Sequence, residues 1–241
     1  MEPQRIYLNS DLPISLRAYR TSPINEQEIQ KQVNEMLDMR ARIVAGEKVL
    51  ITSAAGGVGH IAVQWAKAAE CHVIGTCSSE EKEQVLKELG CDRIINYKQE
   101  DVAGVLAKEY EGGVDVVWET IGGEMLETCL ANLAQNGRIV IVGGISSYKN
   151  ANAVSSKMDV PSIVLAKAAS LLGFRRGSYR ECFSTYFKHL TQHFQEGKLK
   201  TIIDNGEKST GNEFFGMEGI IRGVEYLQSG KSIGKVVARL H

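Results

Sequence analysis

No apolar run in this 241-residue sequence reaches the roughly 18 residues that a membrane-spanning helix needs. The opening MEPQRIYLNSDLPISL has no charged segment leading into an apolar stretch, so no secretory signal is expected. Charge of one sign is also lacking: 28 Lys and Arg stand against 29 Asp and Glu, interspersed along the chain. Nucleic-acid binding, which needs clustered basic residues, is not expected, and neither is a membrane partner. The five cysteines (Cys71, Cys77, Cys91, Cys129, Cys182) form no CxxC pair and have no His at metal-ligand spacing. They read as reduced core thiols in a reducing compartment, most simply the cytosol. The closing Ala238-Arg239-Leu240-His241 approaches a peroxisomal tripeptide but is displaced by its final His.

Further absences remove enzyme classes. None of the eight tyrosines has Lys four residues later, the pair that short-chain dehydrogenases need. No Lys follows the glycines at Gly59, where His60 and Ile61 stand instead, so a P-loop for ATP or GTP is disfavoured. His189 and His193 are four apart but lack a third ligand or an adjacent acid, and read as helix surface rather than zinc ligands. His60, in the first turn of a predicted helix, reads as solvent-facing.

What is present is VLITSAAGGVGHIAVQWAK, Val49 to Lys67: an apolar run, small residues and glycines, then helical spacing. Val58, Ile61, Ala62, Trp65, Ala66 and Ala69 share one helix face. The same alternation continues. Strands are expected at Lys48 to Ser53, His72 to Cys77, Arg93 to Asn96, Val114 to Glu119, Gly137 to Val142 and Ser170 to Phe174. Helices are expected at Glu80 to Leu89, Asp101 to Tyr110 and Gly123 to Leu133. Buried strands each followed by a helix predict an α/β fold, a Rossmann-like doubly wound parallel sheet. The glycines then stand at the carboxyl end of the first strand, where such sheets bind ligands.

Ala54-Ala55-Gly56-Gly57-Val58-Gly59 is a variant of the dinucleotide fingerprint GxGxxG. Gly56 or Gly57 lets the backbone approach a pyrophosphate, Gly59 lets the helix sit close to the strand, and the helix N-terminus offers free N–H groups. A glycine-rich turn without a ligand is the alternative. The second strand bears on the nucleotide. An NAD site usually has an acid there for the ribose 2′-OH, but GTCSSEEK places Ser78 at that point. Ser78 leaves room for a 2′-phosphate and Lys82 supplies a counter-charge, favouring NADP(H); Glu80 or Glu81 reaching back to the ribose would reverse this.

Six ordered segments (AAGGVGHIAVQWAK, VIGTCSSEEK, LGCDRIINYK, GVDVVWETIGG, GRIVIVGGIS and GKSIGKVV) together resemble the zinc-free medium-chain dehydrogenase/reductase family. The likeness is to its quinone oxidoreductase, alkenal reductase and prostaglandin reductase branch, and it covers about Gly46 to His241. It implies NADPH-dependent reduction of the carbon–carbon double bond of α,β-unsaturated ketones or aldehydes, with a small-molecule enone, aldehyde or quinone as substrate. It also implies roles by position. Ser78, Lys82 and Tyr97 match 2′-phosphate contacts. Gly56, Gly57, Val58 and Gly59 match the pyrophosphate loop. Thr120, Val142 and Tyr148 match positions beside the ribose and nicotinamide, with Tyr148 the candidate to return a proton. Ser232 stands where the family usually has Asn, and its shorter hydroxyl reaches less far.

The resemblance further implies a barrel-like catalytic domain before the dinucleotide domain, which needs on the order of 100 residues. Residues 1–45 read instead as an extension with one helix from about Asn25 to Ala45, residues 46–200 as the dinucleotide domain, and 201–241 as a tail that in the family returns to the barrel. The tail is expected to hold a helix at Met217 to Ser229 and a strand at Gly234 to Leu240, leaving apolar surface open to another partner such as a second copy. Two functions follow from this: an enone reductase or its cofactor half, or a non-catalytic NADP(H)-binding or interaction protein derived from one.

Overall fold

The computed structural model describes residues 43–147, 158–175, 177–178 and 183–240. Six strands form one sheet: β1 (Lys48–Ile51), β2 (His72–Cys77), β3 (Arg93–Asn96), β4 (Val114–Glu119), β5 (Leu133–Ile141) and β6 (Ser170–Gly173). All pairs are parallel and the order is β3-β2-β1-β4-β5-β6, so the sheet reverses its winding between β1 and β4. This is the expected Rossmann-like order, and the crevice above β1 and β4 is where such a sheet takes a ligand.

Strand alternation sorts the core. Val49, Ile51, Val73, Val116 and Val140 pack on one face of the sheet, while Leu50, Ile74, Ile95, Val117 and Ile139 pack on the other. Helices α1 (Gly59–Ala68), α2 (Glu80–Glu88), α3 (Val102–Glu109) and α4 (Gly123–Ala131) connect the first five strands. Side-chain caps set two helix starts: Ser79 accepts from the Lys82 N–H and Asp101 from the Gly104 N–H. Gly59 is required where α1 leaves the first strand's turn. A Cβ there would collide with the Ser53 carbonyl and lie 2.7 Å from Ala54 Cα.

Some bounds differ from expectation. β1 stops at Ile51 because Ser53 turns to positive φ, although the Thr52 N–H still donates to Trp118. β5 begins at Leu133 rather than Gly137; its register against β4 shifts between Val114 and Val116, and Asn136 sits at φ 60°. The predicted N-terminal helix lies almost wholly outside the described residues, and its expected end does not hold, since residues 43–46 are coil and turn.

Beyond β6, with α5 (Val160–Ala166) before it, come α6 (Phe183–Gln195), β7 (Ile203–Asp204), α7 (Glu207–Thr210), α8 (Gly216–Gln228) and β8 (Lys235–Val236). The tail strand is much shorter than predicted: β8 pairs with β7 for two residues, and a single bridge joins Phe215 to Arg239. α8 packs its glycines Gly219 and Gly223 over buried Phe214 and leaves Met217, Ile221, Val224 and Leu227 exposed. That is the open apolar surface expected of the tail.

Candidate functional site

A cavity of about 400 Å³ opens above the carboxyl ends of β1, β2 and β4. The turn from β1 to α1 forms its floor. The Gly56 N–H donates to Ser53 (2.9 Å), the Ala54 N–H donates to Thr76 on β2 (2.9 Å), and the Thr76 hydroxyl accepts from the Ser53 N–H (3.1 Å). These bonds hold the turn while the N–H groups of Gly57 and Val58 have no partner among the described residues. Free N–H groups at a helix start are what an anion needs.

The second wall is the end of β2 and the start of α2. Lys82 is buried, yet its ammonium has no carboxylate within ion-pair distance among the described residues. Nζ donates instead to Ser78 Oγ (3.2 Å) and to the Gly230 carbonyl (2.5 Å). Burial pushes the Lys82 pKa below the ordinary lysine value, with Cys77 and Glu81 pulling the other way. A lysine needs three acceptors and this one has two, both uncharged. Tyr97 stands at the rim, half exposed.

The third wall is the loop after β4. Glu119 is fully buried, and its carboxylate accepts from the N–H groups of Ile121 (2.7 Å) and Gly122 (3.0 Å) and from Thr52 Oγ1 (3.4 Å). Burial raises its pKa while those N–H groups lower it. The effect is positional: the clasp sets Thr120 and Ile121 on the cavity wall.

The tail closes the fourth side. Leu227, Gln228, Gly230 and Ser232 line the cavity, and Ser232 is buried. The tail reaches the glycine turn through the Gly234 N–H, which donates to Ala55 (2.7 Å); Gly234, at φ +72°, leaves no room for a Cβ beside Ile202. His60 makes a second tie. Its Nδ1 lies 2.8 Å from the Gly56 carbonyl and its Nε2 accepts from the Ile202 N–H at 3.2 Å. The solvent-facing placement read from the sequence is thus corrected: His60 is 1% exposed, because the tail covers it. Burial holds its pKa below 6.5.

Of the predicted site residues, the fold brings Gly56, Gly57, Val58, Gly59, Ser78, Lys82, Tyr97, Thr120 and Ser232 to one cavity. Val142 is not in its lining and packs against the core. Tyr148 and Cys182 lie outside the described residues, as does the side chain of His189. Cys71, Cys77, Cys91 and Cys129 are buried and free. No three His, Cys, Asp or Glu side chains gather to hold a metal among the described residues. His60, Glu119 and the α8 end were missed. The contacts that bury the first two include Ile202 on His60 and Thr52 on Glu119, distant in sequence, and no local pattern announces them.

The sequence profile described as zinc-binding dehydrogenase matches residues 57–192, more than half of the chain. The chain belongs to the zinc-binding dehydrogenase family. Its family likeness extends to Prostaglandin reductase-3 of Mus musculus, 42% identical over 206 residues, covering 85% of this chain and 55% of that protein. A probable quinone oxidoreductase of Leishmania amazonensis is 39% identical over 204 residues, covering 83% and 58%. Among solved structures, CurA of Vibrio vulnificus in complex with NADPH superimposes with a TM-score of 0.74 at 28% identity, covering 85% of this chain and 60% of that one. Quinone oxidoreductase of Escherichia coli complexed with NADPH gives 0.69 at 27%, covering 86% and 61%. The branch of reductases inferred from the ordered motifs is the one these relatives occupy. This dehydrogenase-family chain spans little more than half the length of the curated relatives it matches.

Proposed function

We propose that the cavity seats NADP(H) and that the chain acts as an NADPH-dependent reductase of the carbon–carbon double bond of α,β-unsaturated ketones or aldehydes. The observation that carries this is Lys82, a buried ammonium facing the cavity with only neutral partners, beside Ser78 where an NAD site would hold an acid. The relatives' names support it: one is a 2-alkenal reductase (NADP(+)-dependent) of Nicotiana tabacum.

The cofactor, when bound, supplies a hydride to the β-carbon of the substrate. The chain's residues do the holding. Gly57 and Val58 offer free N–H groups to a pyrophosphate, with Gly56 and Gly59 allowing the close approach. Ser78 and Lys82 would hold the 2′-phosphate, with Tyr97 at the rim of the same cavity. Thr120 and Ser232 flank the ribose and nicotinamide end. Tyr148 is the proposed proton donor to the enolate.

The test is NADPH oxidation by the purified 241-residue chain with a 15-keto-prostaglandin or a simple alkenal. Turnover above the rate without enzyme is expected. A second reading is a non-catalytic NADP(H)-binding protein derived from such a reductase, and dinucleotide binding without turnover would select it. The exposed α8 stripe supports a homodimer, which sedimentation would reveal. Buried free cysteines support a cytoplasmic location. No described helix is long and apolar enough to cross a membrane.

A further inference from the structure

We propose that His60 is a positioning residue that aims the glycine turn at the cofactor's pyrophosphate, an inference that rests on reading the cavity as a dinucleotide seat. Its ring faces two main-chain groups of opposite kind. The Ile202 N–H can only donate, so Nε2 must accept, and the ring's one proton sits on Nδ1 and goes to the Gly56 carbonyl. The neutral ring is thereby fixed in one tautomer by partners 142 residues apart on one side and four residues apart on the other.

The consequence lies one bond further on. The chain has no cis peptide among its described residues, and in a trans peptide the C=O and N–H point in opposite directions. The Gly56 carbonyl, just ahead of α1, accepts from His60 twice, from its main-chain N–H (3.1 Å) and from Nδ1 (2.8 Å), so the N–H of Gly57 is turned the other way, out of the helix end. Gly57 lines the cavity, and that N–H has no partner among the described residues. The imidazole therefore reinforces the aim of a donor it never touches, adding a second bond to the one the helix backbone supplies. Its other nitrogen ties the turn to the tail that forms the opposite wall, so the floor and the tail move as one.

The test separates the two bonds. An asparagine amide nitrogen stands about as far from the main chain as Nδ1, and a glutamine side-chain oxygen about as far as Nε2. His60→Asn keeps a side-chain donor for Gly56 and loses Ile202; His60→Gln keeps an acceptor for Ile202 and loses the side-chain bond to Gly56, leaving that carbonyl only the main-chain N–H of residue 60. NADPH and NADH dissociation constants are measured by fluorescence titration for both variants, with melting temperatures. His60→Gln should weaken both dinucleotides by the same factor, ~10-fold, the scale of one hydrogen bond to an ion. His60→Asn should bind both within about twofold of the native chain although it melts lower, because the lost tail tie contributes to folding rather than to aim. A purely structural role would make affinity follow melting temperature across the pair, and that result, or native affinity in His60→Gln, overturns the proposal. A native chain that binds neither dinucleotide would overturn the reading of the cavity and this inference with it. Binding by the native chain with an unaffected His60→Gln would overturn this inference alone.

Discussion

The central sheet and the tail bury their apolar residues to very different extents. In β1, Leu50 and Ile51 are 0% exposed, sealed from both sides as parallel strands are. In α8, Met217 and Ile221 are 73% and 59% exposed, and the helix turns its glycines inward instead. The sheet is held by packing. The tail buries less, chiefly Phe214 with Ile202 packed on the sheet's core, and directional bonds join it to the site: Gly234 to Ala55, Ile202 to His60, and Lys82 to Gly230. The cavity lies across the join, with its floor on the stable part and one wall on the part with less buried surface. Cofactor affinity should therefore respond to perturbations of the tail that leave the sheet intact.

The largest expected effect is in the sheet. Leu50→Ala removes a fully buried side chain from the core on one face of the sheet and should cost about 2–5 kcal/mol, read by denaturant unfolding. Gly59→Ala attacks the join. Its methyl must displace the Ser53–Ala54 backbone, so about 1–3 kcal/mol of stability and most dinucleotide affinity should go together.

A pH titration separates floor from tail more finely. His60 stays neutral in the fold below the ordinary value of 6.5, whereas in the unfolded chain it protonates near that value. Below that value the unfolded state binds the extra proton. His60's contribution is thus complete above about pH 7.5 and is lost as pH falls through 6.5 toward the lowered folded value, at up to ~1.4 kcal/mol per pH unit. His60→Gln should flatten that part of the stability–pH curve; an unchanged slope would assign it elsewhere. The smallest effect is on the α8 face: Ile221→Ser should change monomer stability by less than about 0.5 kcal/mol. A marked loss would mean that the stripe is covered in solution.

Much of this comparison was legible in the sequence on the sheet side and little on the tail side. The bounds of β2, β3 and β4 follow from short segments rich in β-branched and apolar residues, and the helices between them from their spacing. The glycine turn and Ser78 and Lys82 were legible because their chemistry is local. His60 was not, since a histidine in a helix's first turn looks like surface until residue 202 arrives to bury it. Glu119 was likewise invisible: its donors Ile121 and Gly122 are close by, but only the buried crevice makes their clasp matter. The register shift in β5 depends on its pairing with β4, which no single segment encodes.

The measurement that bears most directly on the cavity's proposed occupant compares NADPH and NADH binding to the native chain and to Lys82→Ala. The account predicts tighter binding of NADPH by the native chain, and in the variant a loss of about 1–2 kcal/mol for NADPH with NADH nearly unchanged, as one charge-assisted contact to a 2′-phosphate would give. Equal losses for the two dinucleotides, or native binding that favours NADH, would contradict it.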